Sequence, residues 1–350
     1  MNELWQRLGF LAVALIVYRI GTHIPIPGIN PEQVAALFQQ SQGTILQYFN
    51  LFSGGALERM SIFALSVVPY ISSAIVMQLF SNSLPYLQEL KKDGQSGRNK
   101  ITQYTRYGAV VFAIIQSTAL TITLQTAGLI ESTGLFSAVV AISSIVAGTI
   151  FLMWLGEQIS ERGIGNGISL IIATSIITGV PRAIGQALEQ TQQGDLNYLL
   201  LLILAILSLL VVAFVVFVEN AQRKITVNYA QRNQVRGMIQ APSSFLPLKL
   251  NMSGVIPAIF ASTFLLFPAS LSSWFGNIDG LGGLQEFSLY LNPGQPLYIL
   301  LFVVLIVSFC YIWLALTFNS QDMADNLKRG GAYIPGIRPG EQTASFIDLI

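Results

Sequence analysis

The sequence predicts an all-α, polytopic membrane helix bundle. Three observations carry that expectation. Hydrophobic residues make up 53% of the 350 positions. Charged residues make up only 10%, against roughly 25% in soluble domains. The apolar residues also fall into runs long enough to cross a bilayer, which takes about 20 residues, and polar segments separate them.

Eight spans are read in order: roughly 8–24, 61–83, 107–127, 136–157, 164–180, 198–218, 254–275 and 297–318. Their orientation follows from the basic residues. Fifteen of the 18 Lys and Arg fall in alternate polar segments, and Arg19, Arg59 and Arg182 lie on the other side. Positive charge is retained on the cytoplasmic face, so the N-terminus and the final tail are expected there, and eight spans satisfy that parity. MNELWQRLGF lacks the short apolar core and small-residue cleavage site of a secretory signal, so the first apolar run is expected to be a retained span.

Residues 44–80 organise the chain. Ile45–Phe52 is about half a span long, Gly54 and Gly55 break it, and Arg59 closes it. Ser61–Phe80 is long enough to cross, with Pro69 in its middle. Non-helical backbone at membrane depth is tolerated only where protein or a wet cavity surrounds it, so one placement lines an internal passage. The other is an outer surface helix followed by an ordinary Pro-kinked span. The residues alone leave both open.

Two polar segments exceed what a connection needs. In 219–250, Lys224–Tyr229 alternates apolar and polar residues and reads as a strand, with Val235–Ile239 as a candidate partner and Arg232 near the tip. In 320–350, Pro335 and Pro339 stiffen the backbone around Arg338. The second and seventh spans share a proline in an apolar run, at Pro69 and Pro257. Interrupted segments at matching places in two halves point to a central pathway.

Other motifs weigh less. Gly163-Ile-Gly-Asn-Gly167 lacks the strand–turn–helix context of a nucleotide loop, so it is read as a tight turn allowing close helix contact. His23, the only histidine, is read as a polar residue at the membrane surface. Arg19 is near enough to the outer boundary to snorkel. Cys310 is the only cysteine, so no disulfide framework exists. No catalytic triad or midplane acid pair is found, and no enzyme activity, metal or cofactor is expected.

IPIPGIN, FNLFSGGALERMSIFAL, VVPYISS, KKDGQSGRNKITQYTRYG, FLMWLGEQISERGIGNGIS, VNYAQR, LPLKLNMSGVIPAIFAS and ADNLKRGGAYIPGIRPGEQT resemble the SecY family, whose members form the centre of the Sec protein-conducting channel. The resemblance runs through to Ile350. It implies two inverted five-span halves around a constriction: an N-terminal half over 1–180, a hinge loop over 181–197 and a partial second half over 198–350. The constriction would comprise Val67, Ile71, Ile168, Ile172 and Ile259. A plug over about 45–59 would include Phe49, Leu51, Phe52, Gly54 and Gly55. A lateral gate would lie between the second and third spans on one side and the seventh and eighth on the other. Arg223, Lys224, Arg232, Arg236 and Arg338 would meet the SecA motor or the ribosome, including its RNA. SecE and SecG subunits, secretory preproteins, signal sequences and membrane lipid are the other implied partners, and the bacterial inner (plasma) membrane is the implied location. The family continues through two further spans, so eight of ten are expected in this chain. A small-solute secondary transporter with an inverted repeat is the competing expectation, and a non-transporting scaffold is a second.

Overall fold

The computed structural model describes residues 2–40, 50, 53–126, 128–130, 134–194, 197–229, 244–262, 264–265 and 295–349. The chain forms two compact units, Met1–Asp195 with Ser262–Val303, and Leu196–Ala261 with Val304–Ile350.

In the first unit the helices are α1 (Asn2–Gly21), α2 (Pro31–Gln40), α3 (Val68–Ser83), α4 (Pro85–Lys92), α5 (Gln95–Thr126), α6 (Leu135–Arg162) and α7 (Gly167–Gln193). In the second unit α8 (Tyr198–Asn220) precedes strands β1 (Gln222–Tyr229) and β2 (Ser244–Lys249). A helical stretch over 256–262 follows. The remaining elements are α9 (Pro296–Thr317), α10 (Ser320–Arg329), β3 (Ala332–Tyr333) and α11 (Glu341–Leu349). Six helices among the described residues are long and apolar enough to cross a membrane: α1, α5, α6, α7, α8 and α9.

Several boundaries differ from expectation. The second span is helical only from Val68, and Ser61–Val67 is turned backbone. Pro69 therefore lies in the first turn of α3, where its missing N–H costs nothing, instead of kinking a longer helix. Pro257 likewise lies at the start of its helical stretch. Apolarity marks depth in the membrane and does not distinguish helix from turn, which is why hydropathy placed this start too early. Helix α7 continues through 181–193 with Pro181 inside it, so most of the expected hinge loop is helix.

The spans keep many apolar side chains outward. No residue of α8 is buried, although its window has a mean hydropathy of 3.4. A helix apolar all round needs an apolar surrounding, and lipid supplies it. In the first unit, buried side chains gather in two clusters. One comprises Ile26, Ile29, Val34, Leu57, Met60, Ala64, Leu65 and neighbours on α5 and α6. The other centres on Tyr18, Phe63, Val67, Leu152, Ile159 and Ile171.

Residues 53–67 run between these clusters almost wholly buried. Their backbone groups find partners: Ile26 N–H donates to Met60 O at 2.9 Å, Ile62 N–H to Ile24 O at 3.0 Å, and Pro25 bridges Ser61. Buried backbone must be paired; local turn bonds such as Ser61 N–H to Ala56 O and Ala64 N–H to Ser61 O, both 2.9 Å, supply most of that pairing, and the Ile24–Ile26 stretch supplies two more bonds.

In the second unit β2, β1 and β3 form one antiparallel sheet in that order. The expected strand over 224–229 is present within β1. Its observed hairpin partner is β2, with Ile225 opposite Leu246. The expected partner, 235–239, lies outside the described residues. The sheet packs Ile225, Leu248 and Ile334 against Met323 of α10 and Phe346 of α11. Sequence reading treated the two polar segments separately. Pairing of Asn228 with Tyr333 and Tyr229 with Ala332 joins them into one small body.

Candidate functional site: a seated segment over an apolar cluster

The glycine-rich turn ahead of α7 fixes where that helix begins. Asn166 caps it, its side chain accepting from Ile168 N–H at 3.0 Å and Ser169 N–H at 3.2 Å. Ser160 Oγ accepts from Gly167 N–H at 2.8 Å. A Cβ on Gly167 would stand 1.9 Å from the Gly156 carbonyl oxygen, so only glycine permits this approach of α6 and α7. Ile168 and Ile172 consequently lie in the first two turns of α7.

Helix α3 presents Ile71 one turn after Val67, which occupies its N-cap position. Val67 is buried, and the partly buried Ile71, Ile168 and Ile172 pack in the same apolar cluster. Four of the five residues expected at a constriction therefore come together. Ile259 belongs to the other unit, in its helical stretch.

Next to this cluster lies a set of polar contacts that sequence reasoning missed. Tyr18 is fully buried. Its hydroxyl donates to the Ser53 carbonyl at 3.2 Å and lies 2.5 Å from Ser175 Oγ. Arg19 does not snorkel away: its Nη1 donates to Gly54 O at 3.0 Å. Arg59 donates to Gly55 O through Nε and to Gly54 O through Nη2. Arg182 makes a two-pronged ion pair with Glu58, at 2.7 and 2.9 Å. His23 is exposed as expected, yet its Nδ1 meets Arg19 O at 2.9 Å and its Nε2 meets Arg59. Spacing gives no hint of a pair separated by 124 positions. The available signal is that Arg19, Arg59 and Arg182 are the residues that depart from the charge bias.

Burial alone raises the Glu58 pKa, but hydrogen bonds from Arg182 and Asn50 outweigh it and hold the carboxyl below the usual range. Gly54 and Gly55 have φ of +65° and +81°, the left-handed region that glycine enters freely. Met60 and Ser66 are also left-handed, at +43° and +51°, a conformation costing non-glycine residues about 1–2 kcal/mol. Phe49, Leu51 and Phe52 lie outside the described residues. Among those described, no group of three His, Cys, Asp or Glu is arranged to hold a metal.

The expected partner-binding residues lie in the second unit. Arg223 and Lys224 are exposed on β1, while Arg232 and Arg236 lie outside the described residues. Arg338 is exposed on the loop between β3 and α11. Ile334 and Ile337 anchor that loop in the core of the small sheet body, and Thr343 Oγ1 donates to the Arg338 carbonyl at 2.9 Å.

The chain thus seats a buried, irregular segment on an apolar cluster inside a helix bundle. The SecY family model matches residues 61–350. The chain belongs to the SecY family. A protein translocase subunit of Pseudomonas aeruginosa from this family is 58% identical over 348 residues, covering 99% of this chain and 79% of the relative. A solved protein-conducting channel superposes with a TM-score of 0.67 at 18% identity, covering 98% of this chain and 81% of that one. Sec61 in the canine ribosome–channel complex from the endoplasmic reticulum gives 0.51 at 19% identity, covering 78% and 59%. The SecY-type membrane bundle expected from the sequence is thus the fold.

Proposed function

We propose that this chain is the channel-forming subunit of a protein translocase. It passes unfolded secretory polypeptides across the membrane and releases signal and transmembrane helices sideways into lipid. The observation that carries the reading is family membership over almost the whole chain, at 58% identity to a translocase subunit.

In this mechanism Val67, Ile71, Ile168, Ile172 and Ile259 form an apolar ring. Such a ring makes no specific hydrogen bonds, so it accepts varied side chains, and when empty it disfavours water and ions by dewetting. Residues 45–59, including Phe49, Leu51, Phe52, Gly54 and Gly55, act as the plug that supports closure. A signal helix leaves through the lateral gate according to the apolar area it buries. The chain performs no chemistry itself. A ribosome or a motor ATPase of the SecA type drives the polypeptide, docking on Arg223, Lys224, Arg232, Arg236 and Arg338. The exposed cationic positions suit RNA or an acidic protein face. SecE- and SecG-type subunits complete the assembly, which sits in the bacterial inner membrane with the N-terminus cytoplasmic. The chain consists of two inverted halves, 1–180 and 198–350, that move about the connection between them.

The test is photo-crosslinking from position 71 to a secretory chain stalled in transit through the reconstituted translocase. Adducts that depend on the stalled chain support the ring. Adducts to lipid alone, with the translocase active, reject the assignment.

A further inference from the structure

Arginine is scarce on the outer side of this chain, and all three residues that break the charge bias converge on one short stretch. Arg19 and Arg59 both donate to the Gly54 carbonyl, at 3.0 and 3.2 Å. Arg182, on α7, joins Glu58 through two parallel hydrogen bonds. The Glu58 carboxylate also accepts from Asn50 Nδ2, and Glu58 N–H donates to Asn50 Oδ1, both at 3.0 Å. Glu58 therefore ties its own turn together and fastens it to a distant helix.

The two kinds of contact differ in how they yield. The apolar contacts of Val67 with α7 are non-directional and survive small sliding motions. A fork-to-fork guanidinium–carboxylate pair is directional and breaks as a unit. Glu58 is 11% exposed at its side chain and Arg182 is 56% exposed, so parting of the pair while the segment is still seated would leave a carboxylate desolvated while its partner reaches water easily. That asymmetry makes the pair stronger than a surface bridge, and the cation can still release it without itself being trapped in the interior.

We infer that the Glu58–Arg182 pair is the catch that keeps residues 53–60 seated, so both are positioning residues for channel closure. The segment leaves its seat only after the pair parts. Arg19 and Arg59 hold the Gly54 carbonyl and set the turn in which Glu58 faces α7. The inference rests on the plug reading, and its test separates the two.

The complete translocase is reconstituted in planar bilayers, and the resting open fraction is measured for Glu58→Arg, Arg182→Glu and the combined swap. Each single reversal is expected to raise it about tenfold, as for loss of a partly buried ion pair, and the swap to return it most of the way. Glu58→Gln should fall between and lose sensitivity to salt. A swap as leaky as the single reversals, or Glu58→Gln behaving as the parent, overturns the catch. The plug reading is tested independently with Gly54→Cys/Ser175→Cys. An ideal Cβ at position 54 lies 3.4 Å from Ser175 Cβ, close to disulfide spacing, and the strain of a cysteine at φ +65° is common to the oxidised and reduced forms that are compared. Oxidation should block preprotein passage and reduction restore it, within one variant. Unimpeded passage after oxidation rejects the plug and the catch together. Blocked passage with an ineffective swap rejects only the catch.

Discussion

Gly148 on α6 gives a direct measure of how tightly the irregular segment is seated. A Cβ placed there would stand 2.0 Å from the Ile62 carbonyl oxygen and 2.8 Å from its carbon. Ordinary contact between heavy atoms is about 3.5 Å, so Gly148→Ala must separate helix and segment by more than a rotamer change provides. The obstacle is backbone on both sides. The segment is the weaker partner, because turns and single hydrogen bonds at Met60 and Ile62 hold it, and Met60 and Ser66 already occupy left-handed conformations. Overpacking of this kind costs about 1–3 kcal/mol. At about 1–2 kcal/mol the seated-to-displaced ratio falls five- to thirtyfold. Gly185→Ala on α7 is the control, since nothing lies within 4 Å of its added Cβ and alanine favours the helix. Resting conductance in planar bilayers and thermal unfolding in detergent are measured together. Gly148→Ala should leak and unfold earlier, and Gly185→Ala should do neither. If the two variants behave alike, the close approach has no part in holding the segment.

Three further outcomes are expected. Ile71→Lys puts a charge into an apolar cluster where Ile71 is only partly buried, so the chain should still fold while resting ion conductance rises at least tenfold; parental conductance would remove Ile71 from the ring. Glu58 is charged above the ordinary glutamate value of about 4.3, and its lowered pKa means closure is kept down to that value and lost as pH falls through the still lower seated value. Conductance should therefore rise only in that acid window, and Glu58→Gln should lack the step; a step common to both forms would assign it elsewhere. Arg338→Glu reverses an exposed charge on a loop whose neighbours Ile334 and Ile337 anchor it, so stability should change by less than about 0.5 kcal/mol while ATPase-driven export slows several-fold. Unchanged export kinetics would exclude Arg338 from partner contact.

How much of this was legible follows from what each signal reports. Composition and run length placed the spans because bilayer thickness imposes itself directly on the sequence. The α8 and α9 boundaries match within two residues of those expected. The start of α3 was misplaced, because Ser61–Val67 is as apolar as a helix yet is turned, its backbone paired by local turn bonds and by Ile62 N–H to Ile24 O. The GIGNG turn was readable in kind, since glycine's freedom and the asparagine cap are local properties. Phe49, Leu51 and Phe52 were assigned only by resemblance and lie outside the described residues.

The sequence by itself determined the membrane class, the family, the charge bias and the apolar residues that cluster at Val67. The class and the charge bias follow from composition and spacing, whereas the family and the choice of those apolar residues came from the resemblance of whole motifs. Only the tertiary structure decided that Arg19, Arg59 and Arg182 meet at Gly54 and Glu58, and that the final tail adds β3 to the hairpin. Partners over a hundred residues apart leave no periodic trace in the chain. A directional bond exists only once folding has brought both ends within about 3 Å.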